Sequence, residues 1–434
     1  MSEKKEIKDI ELTEVVEKLP INFANGTTFI ITQQNPNTYT HIFFKYPCKF
    51  IPEIPRWAIN KYANKGKKIV MDPFSGSGTT LLEAKLHGLD AIGMEIDPIA
   101  KKIIKAKTEN YTLEDIELID YYFNKIEKVF KNNEKVVPKY PKINNLNHWY
   151  KAENLYDLGR LNSIIDGIKD SNAKIFLEVV LLAIVKKVSQ ADDASPKPYV
   201  SKKIIKNAPD VFTTFSKYFK RYRNALQEYM QYSFAGKVRV LEGDALNIQE
   251  NVLVDLAITS PPYINAFDYP RTLRLENLWL NTQTEESLLE SKSLYVGTER
   301  FNLKAEKEKS YSILQLSKQL DCNFKKIKEV DEKRAYVIKK FFDDMKLNLV
   351  NVNKHLKLNG VYVIVIGNSK IRNTEIRSAE IIKEIAENIG FKYEEHFSYQ
   401  IKNPYIRIPR NGKGGIIKKD YVLVLKKVEE INDY

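Results

Sequence analysis

The fold is decided by residues 67–107, KKIVMDPFSGSGTTLLEAKLHGLDAIGMEIDPIAKKIIKAK. KKIVMDP is a short apolar run closed by an acid and a proline, and SGSGTT is a turn. LLEAKLHG has helical spacing, with Gly88 placed to cap it. DAIGMEI reads as a second buried strand, and DPIAKKIIKAK opens another helix. Strand, helix, strand and helix in about forty residues predict a βαβ unit, and with it a parallel sheet covered by helices on both faces.

Outside this unit the pattern changes. Residues 111–236 carry little strand signal. Segments 114–132, 152–168, 174–190 and 212–232 have helical spacing, and ADDASPKPYVSKK (191–203), with Ser195, Pro196 and Pro198, reads as a loop. The stretch interrupts the sheet as a helical insertion. The βα pattern resumes at KVRVLEGDAL (237–246) and VLVDLAITSPPY (252–263). Residues 281–332 interleave Glu and Lys, which predicts an irregular, solvated surface element. A long amphipathic helix follows at 333–356, then the buried strand GVYVIVIG (360–367). FKYEEHFSYQI and DYVLVLKK have the pattern of a closing antiparallel pair.

The 434 residues are ample for a full hydrophobic core, and 43% apolar composition excludes a disordered or collagen-like chain. Two cysteines far apart, Cys48 and Cys322, argue against a disulfide framework and for a reducing, cytoplasmic location. No apolar run reaches the length of a membrane span. The first residues, MSEKKEIKDIELTEVVEK, lack the apolar stretch of a signal peptide. The five histidines show no ligand spacing with either cysteine, so no metal is expected. The net charge is +13, but Arg occurs 13 times against 56 Lys. That balance fits AT-biased coding as well as it fits nucleic-acid binding.

Three motifs carry chemistry. Asp72-Pro73-Phe74-Ser75-Gly76-Ser77-Gly78-Thr79-Thr80 lies between a strand and a helix. Its glycines permit close backbone approach, and the helix N-terminus offers free N–H groups. It lacks the lysine of a phosphate-cradling loop, which disfavours ATP. Glu95, at the end of the next strand, is placed to accept both hydroxyls of a ribose, while Asp97 reads as the N-cap of the following helix. Thr259-Ser260-Pro261-Pro262-Tyr263 ends a buried strand rigidly and holds a tyrosine at the carboxyl edge of the sheet.

Together these motifs resemble the DNA amino-methyltransferases that use S-adenosylmethionine, with DPFSGSGTT as the cofactor loop and the SPPY of TSPPY as the catalytic tetrapeptide. HIFFKYPCKFIPEIP (41–55) resembles the segment that closes over the methionine part of the cofactor, and Asp244 resembles the acid that contacts the adenine amino group. Asn368 and the terminal stretch resemble the late part of the family. The resemblance implies an α/β fold: a doubly wound, mostly parallel seven-stranded methyltransferase sheet with a helical insertion. It divides the chain into residues 1–65, closing over the cofactor; 66–110 with 237–434, the methyltransferase domain; and 111–236, the insertion. It implies cofactor contacts from Lys49, Phe50, Pro52, Asp72, Phe74, Ser75, Gly76, Gly78, Thr79, Glu95 and Asp244, and catalysis by Ser260, Pro261, Pro262 and Tyr263.

The implied partners are double-stranded DNA with a flipped target base and a cognate restriction endonuclease, with no membrane; no oligomeric state is indicated. Serine at the head of the tetrapeptide resembles the cytosine-N4 enzymes, whereas Asp or Asn goes more often with adenine N6. The alternatives are adenine-N6 methylation, an RNA substrate, or a non-catalytic DNA-binding subunit. Cytosine-C5 chemistry needs a Pro-Cys nucleophile after the cofactor loop. Pro47-Cys48 precedes it, so Cys48 is expected to be a buried small residue. The 148 residues between Glu95 and Asp244 exceed the family's usual spacing and offer room for DNA recognition. Basic residues from Lys202 to Arg239 and from Lys402 to Lys427 are the expected phosphate contacts. The aromatics from Phe212 to Tyr222 are expected in a core. Asp268 and Arg271 order the loop after the tetrapeptide, reach the target strand, or form an internal salt bridge.

Overall fold

A computed structural model describes residues 12–430 apart from 64, 65, 67, 170, 204, 233–235, 242, 265, 266 and 403–416. Nine strands form the main sheet: β1 (Thr13–Val16), β2 (Thr28–Ile31), β3 (Ile69–Asp72), β4 (Asp90–Met94), β5 (Val238–Leu241), β6 (Val254–Thr259), β7 (Leu356–Gly367), β8 (Phe391–Gln400) and β9 (Lys419–Lys427). Their order is β1-β2-β8-β9-β7-β6-β3-β4-β5. β9 runs antiparallel to both β8 and β7, and the other pairings are parallel. The seven strands from β8 to β5 are those anticipated. Two short N-terminal strands extend the edge, through Thr28 and Phe29 pairing with Ser398 and Tyr399. Part of the segment expected to fold over the cofactor is thus sheet. Four-residue strands such as TEVV and TFII leave too few alternations to read.

The helices are α1 (Glu53–Tyr62), α2 (Thr79–Leu86), α3 (Pro98–Thr108), α4 (Leu113–Lys131), α5 (Ala152–Asp166), α6 (Ser171–Val185), α7 (Val211–Met230), α8 (Glu332–His355) and α9 (Ser378–Glu387), with several shorter ones. Period-two alternation along β7 serves two cores. Val361, Val363 and Val365 pack with α1 and α2, while Tyr362, Ile364 and Ile366 pack with α8 and α9. Each such buried side chain contributes about 1.5–3 kcal/mol of hydrophobic stabilisation. Helices α4 to α7 share a third core with α3, in which Phe123 and Phe219 stack at 3.9 Å. Phe215, Phe219 and Tyr222 are buried there.

Residues 281–332 differ from expectation. They form helices at Glu285–Ser291, Leu303–Glu308, Ser312–Leu316 and Lys318–Val330. Leu320, Phe324 and Ile327 carry a buried stripe against α8 beneath a Lys- and Glu-rich outer face. The charges dominate the composition, while three apolar residues at helical spacing fix the packing.

β3 lies between β4 and β6. From β3 the chain moves outward through β4 to β5, then returns to the other side of β3 as β6. The carboxyl ends of β3, β4 and β6 therefore flank a topological switch point, where open α/β sheets bind ligands.

Candidate active site

Asp72 ends β3 and is fully buried. It accepts hydrogen bonds from Thr259 Oγ1 at 2.6 Å and Phe74 N at 3.1 Å. Thr259 is the last residue of β6, so this carboxylate joins the start of the cofactor loop to the residue before Ser260. Burial raises its pKa to about 6. Ser75 is tucked over β4, its hydroxyl donating to Asp72 O and its amide to Met94 O. A Cβ on Gly93 would fall 2.3 Å from Ser75 Oγ, so the close loop–strand approach requires glycine there.

Gly76 and Gly78 both have positive φ but different neighbours. A Cβ on Gly76 would meet Tyr46 on the cavity wall at 3.5 Å, and one on Gly78 would meet Ile104 of α3 at 3.0 Å. Gly78 is a packing residue at the N-cap of α2.

A cleft of about 790 Å³, counted together with the solvent in its open mouth, lies at these strand ends. It brings together Lys49, Phe50, Phe74, Ser75, Gly76, Thr79, Glu95, Asp244, Ser260 and Pro262 of the sequence-predicted residues. Pro52, Asp72, Gly78, Pro261 and Tyr263 are not in its lining. Pro52 is the N-cap residue of α1. Asp97 caps α3, accepting from Ile99 N and Ala100 N. Asp244 Oδ1 accepts from Leu246 N at 2.7 Å within a small hairpin. Cys48, expected in the core, is exposed at the cavity wall with φ of 56°. Its neighbour Lys49 turns inward instead, giving its ammonium to the carbonyls of Pro36 and His41 at 3.1 and 2.9 Å.

A DNA methylase family model matches residues 3–106. The Type II methyltransferase M.MvaI of Kocuria varians is 25% identical over 425 residues, 91% of each chain. M.AvaI of Nostoc sp. is 24% identical over 427 residues, 87% of this chain and 84% of its own. M.BsoBI of Geobacillus stearothermophilus is 24% identical over 321 residues, 65% of this chain and 59% of its own. Residues 3–106 thus match the N6/N4 DNA methylases, and the relatives aligned over most of the chain are Type II methyltransferases. S-adenosylmethionine is the cofactor of these DNA methylases, and the cavity fits it. Ser77 Oγ is buried at the cavity wall without a hydrogen-bond partner among the described residues. Glu95 Oε1 accepts from Ile96 N and Asp97 N, both at 2.8 Å. Burial, with Asp97 alongside, raises Glu95 to about 8. Hydroxyl donors and a nearby cation are what such a carboxylate lacks.

Behind the glycine-rich loop 73–80, Glu83 of α2 is buried. It accepts from His41 Nε2 at 2.9 Å and from Arg56 at 2.8 and 3.1 Å. Burial lowers His41 to about 4, so the ring is neutral at neutral pH. Lys107, also buried, donates to Ser77 O at 2.9 Å. These bonds tie the N-terminal segment and α3 to the loop. Sequence reading missed a row of three rings on the cavity wall. Tyr46 and Tyr269 stack at 5.8 Å, and Tyr269 and Tyr295 at 5.7 Å. Tyr295 Oη donates to Asp97 Oδ2 at 3.1 Å. The rings come from three distant segments, and no spacing within any one of them signals the stack.

Asp268 caps the short helix Tyr269–Thr272 at the exit of the tetrapeptide loop. It accepts from Arg271 N, and it takes Lys292 Nζ at 3.2 Å. Asp268 is thus engaged in a helix cap and an internal salt bridge. No group of acidic, histidine or cysteine side chains among the described residues could hold a metal ion. No helix among them is long and apolar enough to cross a membrane.

Proposed function

We propose that the protein methylates the exocyclic N4 of cytosine in a specific sequence of duplex DNA, as the modification half of a restriction–modification pair. The observation that carries the reading is Ser260-Pro261-Pro262-Tyr263 at the end of β6, with Ser260 and Pro262 lining the same cavity as Gly76 and Glu95.

An exocyclic amino group is a poor nucleophile because its lone pair is delocalised into the ring. Ser260 Oγ and the Pro261 carbonyl accept its N–H bonds, draw the nitrogen toward tetrahedral geometry and free the lone pair. The two prolines hold these acceptors rigidly, so positioning and preorganised dipoles supply the rate. Bound in the cavity, S-adenosylmethionine would supply an electrophilic methyl group and leave as its neutral thioether, and the methylated nitrogen would release one proton to the solvent at the open cavity. Glu95, Ser77, Asp244 and the loop backbone hold it, and Tyr263 meets a base taken out of the duplex. Serine at the head of the tetrapeptide favours cytosine over adenine.

The insertion is the proposed DNA reader. Lys197, in the 191–203 loop, approaches Asp268 just after the tetrapeptide at 3.9 Å. Lys202, Lys203, Lys217, Lys220 and Arg221 are exposed. Other expected phosphate contacts are paired with groups of the protein itself. Arg223 pairs with Asp120, Arg239 with Glu250, Lys206 with Asp193, and Lys427 is buried on two backbone carbonyls. Arg407, Arg410 and Lys413 lie outside the described residues. Nucleoside mass spectrometry of DNA from an expressing host tests the reading. N4-methylcytosine is expected, N6-methyladenine alone refutes the base, and methylated RNA with unmodified DNA refutes the substrate.

A further inference from the structure

The register of the sheet places three residues in one row: Tyr399 on β8 opposite Asp420 on β9, and Asp420 opposite Gly367 on β7. Tyr263 of the tetrapeptide lies over the end of this row. Its phenol donates to Asp420 Oδ1 at 2.7 Å, and the Tyr399 phenol donates to Oδ2 at 3.0 Å. A Cβ on Gly367 would fall 2.9 Å from Tyr263 Cε2 and 3.1 Å from Asp420 Oδ1, so the ring occupies space that a side chain would fill. The Ser260 side chain is near the Tyr263 phenol and acts to lower its pKa, without a formed hydrogen bond between them in the structure.

We propose that Asp420 is a positioning residue that sets the direction of a hydroxyl chain, making Ser260 an acceptor toward the target amino group. An ionised carboxylate can only accept. Tyr263 must therefore give Asp420 its proton, which leaves the phenol oxygen to accept from Ser260. With its own proton so engaged, Ser260 turns its lone pairs outward. Tyr399 fills the second carboxylate oxygen, and the open space at Gly367 admits the Tyr263 ring. The inference rests on the catalytic reading of residues 260–263.

Burial holds the Asp420 carboxyl at about 6, while the two phenols act to lower it. The titratable groups facing it are Tyr263, Tyr399 and the Cys48 thiol, with Glu53 beyond Tyr399. Protonation lets Asp420 donate, and the direction of the chain is lost.

The test is single-turnover methylation of unmodified genomic DNA by the full chain with saturating S-adenosylmethionine. Asp420→Asn and Tyr263→Phe should each slow transfer by about tenfold or more, with cofactor affinity changed less than about twofold. The double variant should be no slower than the worse single one, because both break the same chain. Tyr399→Phe should slow transfer less and move the acid limb of the rate to higher pH. Wild-type rates for Asp420→Asn, or losses that multiply in the double variant, overturn the proposal. If Asp420→Asn does not fold, wild-type rates and an unmoved acid limb in Tyr263→Phe and Tyr399→Phe overturn it instead. Tyr263→Ala at full rate would sink the catalytic reading of the loop itself. An inactive Tyr263→Ala beside an unimpaired Asp420→Asn would sink only the role of Asp420.

Discussion

Nine of the residues lining the cofactor cavity lie between Pro73 and Ile96, in one βαβ unit whose turn, helix start and strand end are set by neighbours in sequence. The target loop at 260–263 is supported differently. Asp72 reaches Thr259 across 187 residues, and Asp420 reaches Tyr263 across 157. This part of the cavity wall is a local structure, set within one strand–helix–strand unit, although other segments complete the wall. The target loop exists only when β3, β6, β7 and β9 have all found their register. Damage to the first should therefore appear as lost affinity, and damage to the second as lost rate.

The largest expected effect tests the second half of that contrast. Ser260→Ala or Tyr263→Ala should lower single-turnover methyl transfer by about 100-fold or more while cofactor binding survives. Calorimetric titration alongside the rate measurement separates the two. Transfer at the wild-type rate in both variants would remove the catalytic assignment.

The paired glycines sharpen the first half. Gly76→Asp adds a side chain at the cavity wall and should weaken cofactor binding by about 30-fold or more, with a smaller fall in the thermal midpoint than Gly78→Asp, since both share the left-handed strain but only Gly78 meets α3. Gly78→Asp drives a carboxylate against Ile104 between α2 and α3, which should cost about 2 kcal/mol or more of stability and lower the midpoint by several degrees. From sequence alone the two positions looked equivalent, because both lie in one glycine-rich turn. Only the packing of α3 on α2 separates a ligand-facing glycine from a helix-facing one.

That case marks the extent of what the sequence made legible. The βαβ unit, the switch-point strands and the closing antiparallel pair follow from periodicity, because buried strands and their turn residues are adjacent in the chain. The Asp97 cap and Glu95 follow from the strand end and helix start they mark, whereas Asp244 was legible only through the resemblance to a known family. The edge strands β1 and β2 are too short to show a period. Tyr295 and Asp420 acquire their partners only through tertiary contact. The Lys-rich surface of 318–330 hid the stripe of Leu320, Phe324 and Ile327, and exposure of Cys48 depends on a local positive φ that a cysteine does not announce.

A smaller effect follows from Glu95. In the free protein its pKa is about 8. If the ionised carboxylate accepts the ribose hydroxyls beside a cationic sulfonium, its pKa in the complex is lower, so binding releases a proton. Affinity should then rise with pH up to about 8 and level off above it. Glu95→Gln should bind about tenfold more weakly at pH 8 and lose that slope. Proton release measured by calorimetry in buffers of different ionisation enthalpy checks the sign. Proton uptake, or a slope retained by the Gln variant, would place the titrating group elsewhere.

The smallest effect probes where the two halves meet. Tyr295 belongs to a segment remote from the βαβ unit, yet its hydroxyl completes the bonding of Asp97 and its ring ends the stack begun by Tyr46. Tyr295→Phe keeps the ring and leaves Asp97 Oδ2 without that donor, a loss of about 1 kcal/mol, or about fivefold in cofactor affinity if the bond supports the cavity. Tyr295→Ala removes the stack as well and should bind more weakly still. Equal losses in the two variants would assign the whole contribution to the hydroxyl. A loss confined to Tyr295→Ala would assign it to the ring, and the cavity would then be closed by packing rather than by the bond to Asp97. Normal affinity in both would mean that the cofactor wall depends on its βαβ unit alone.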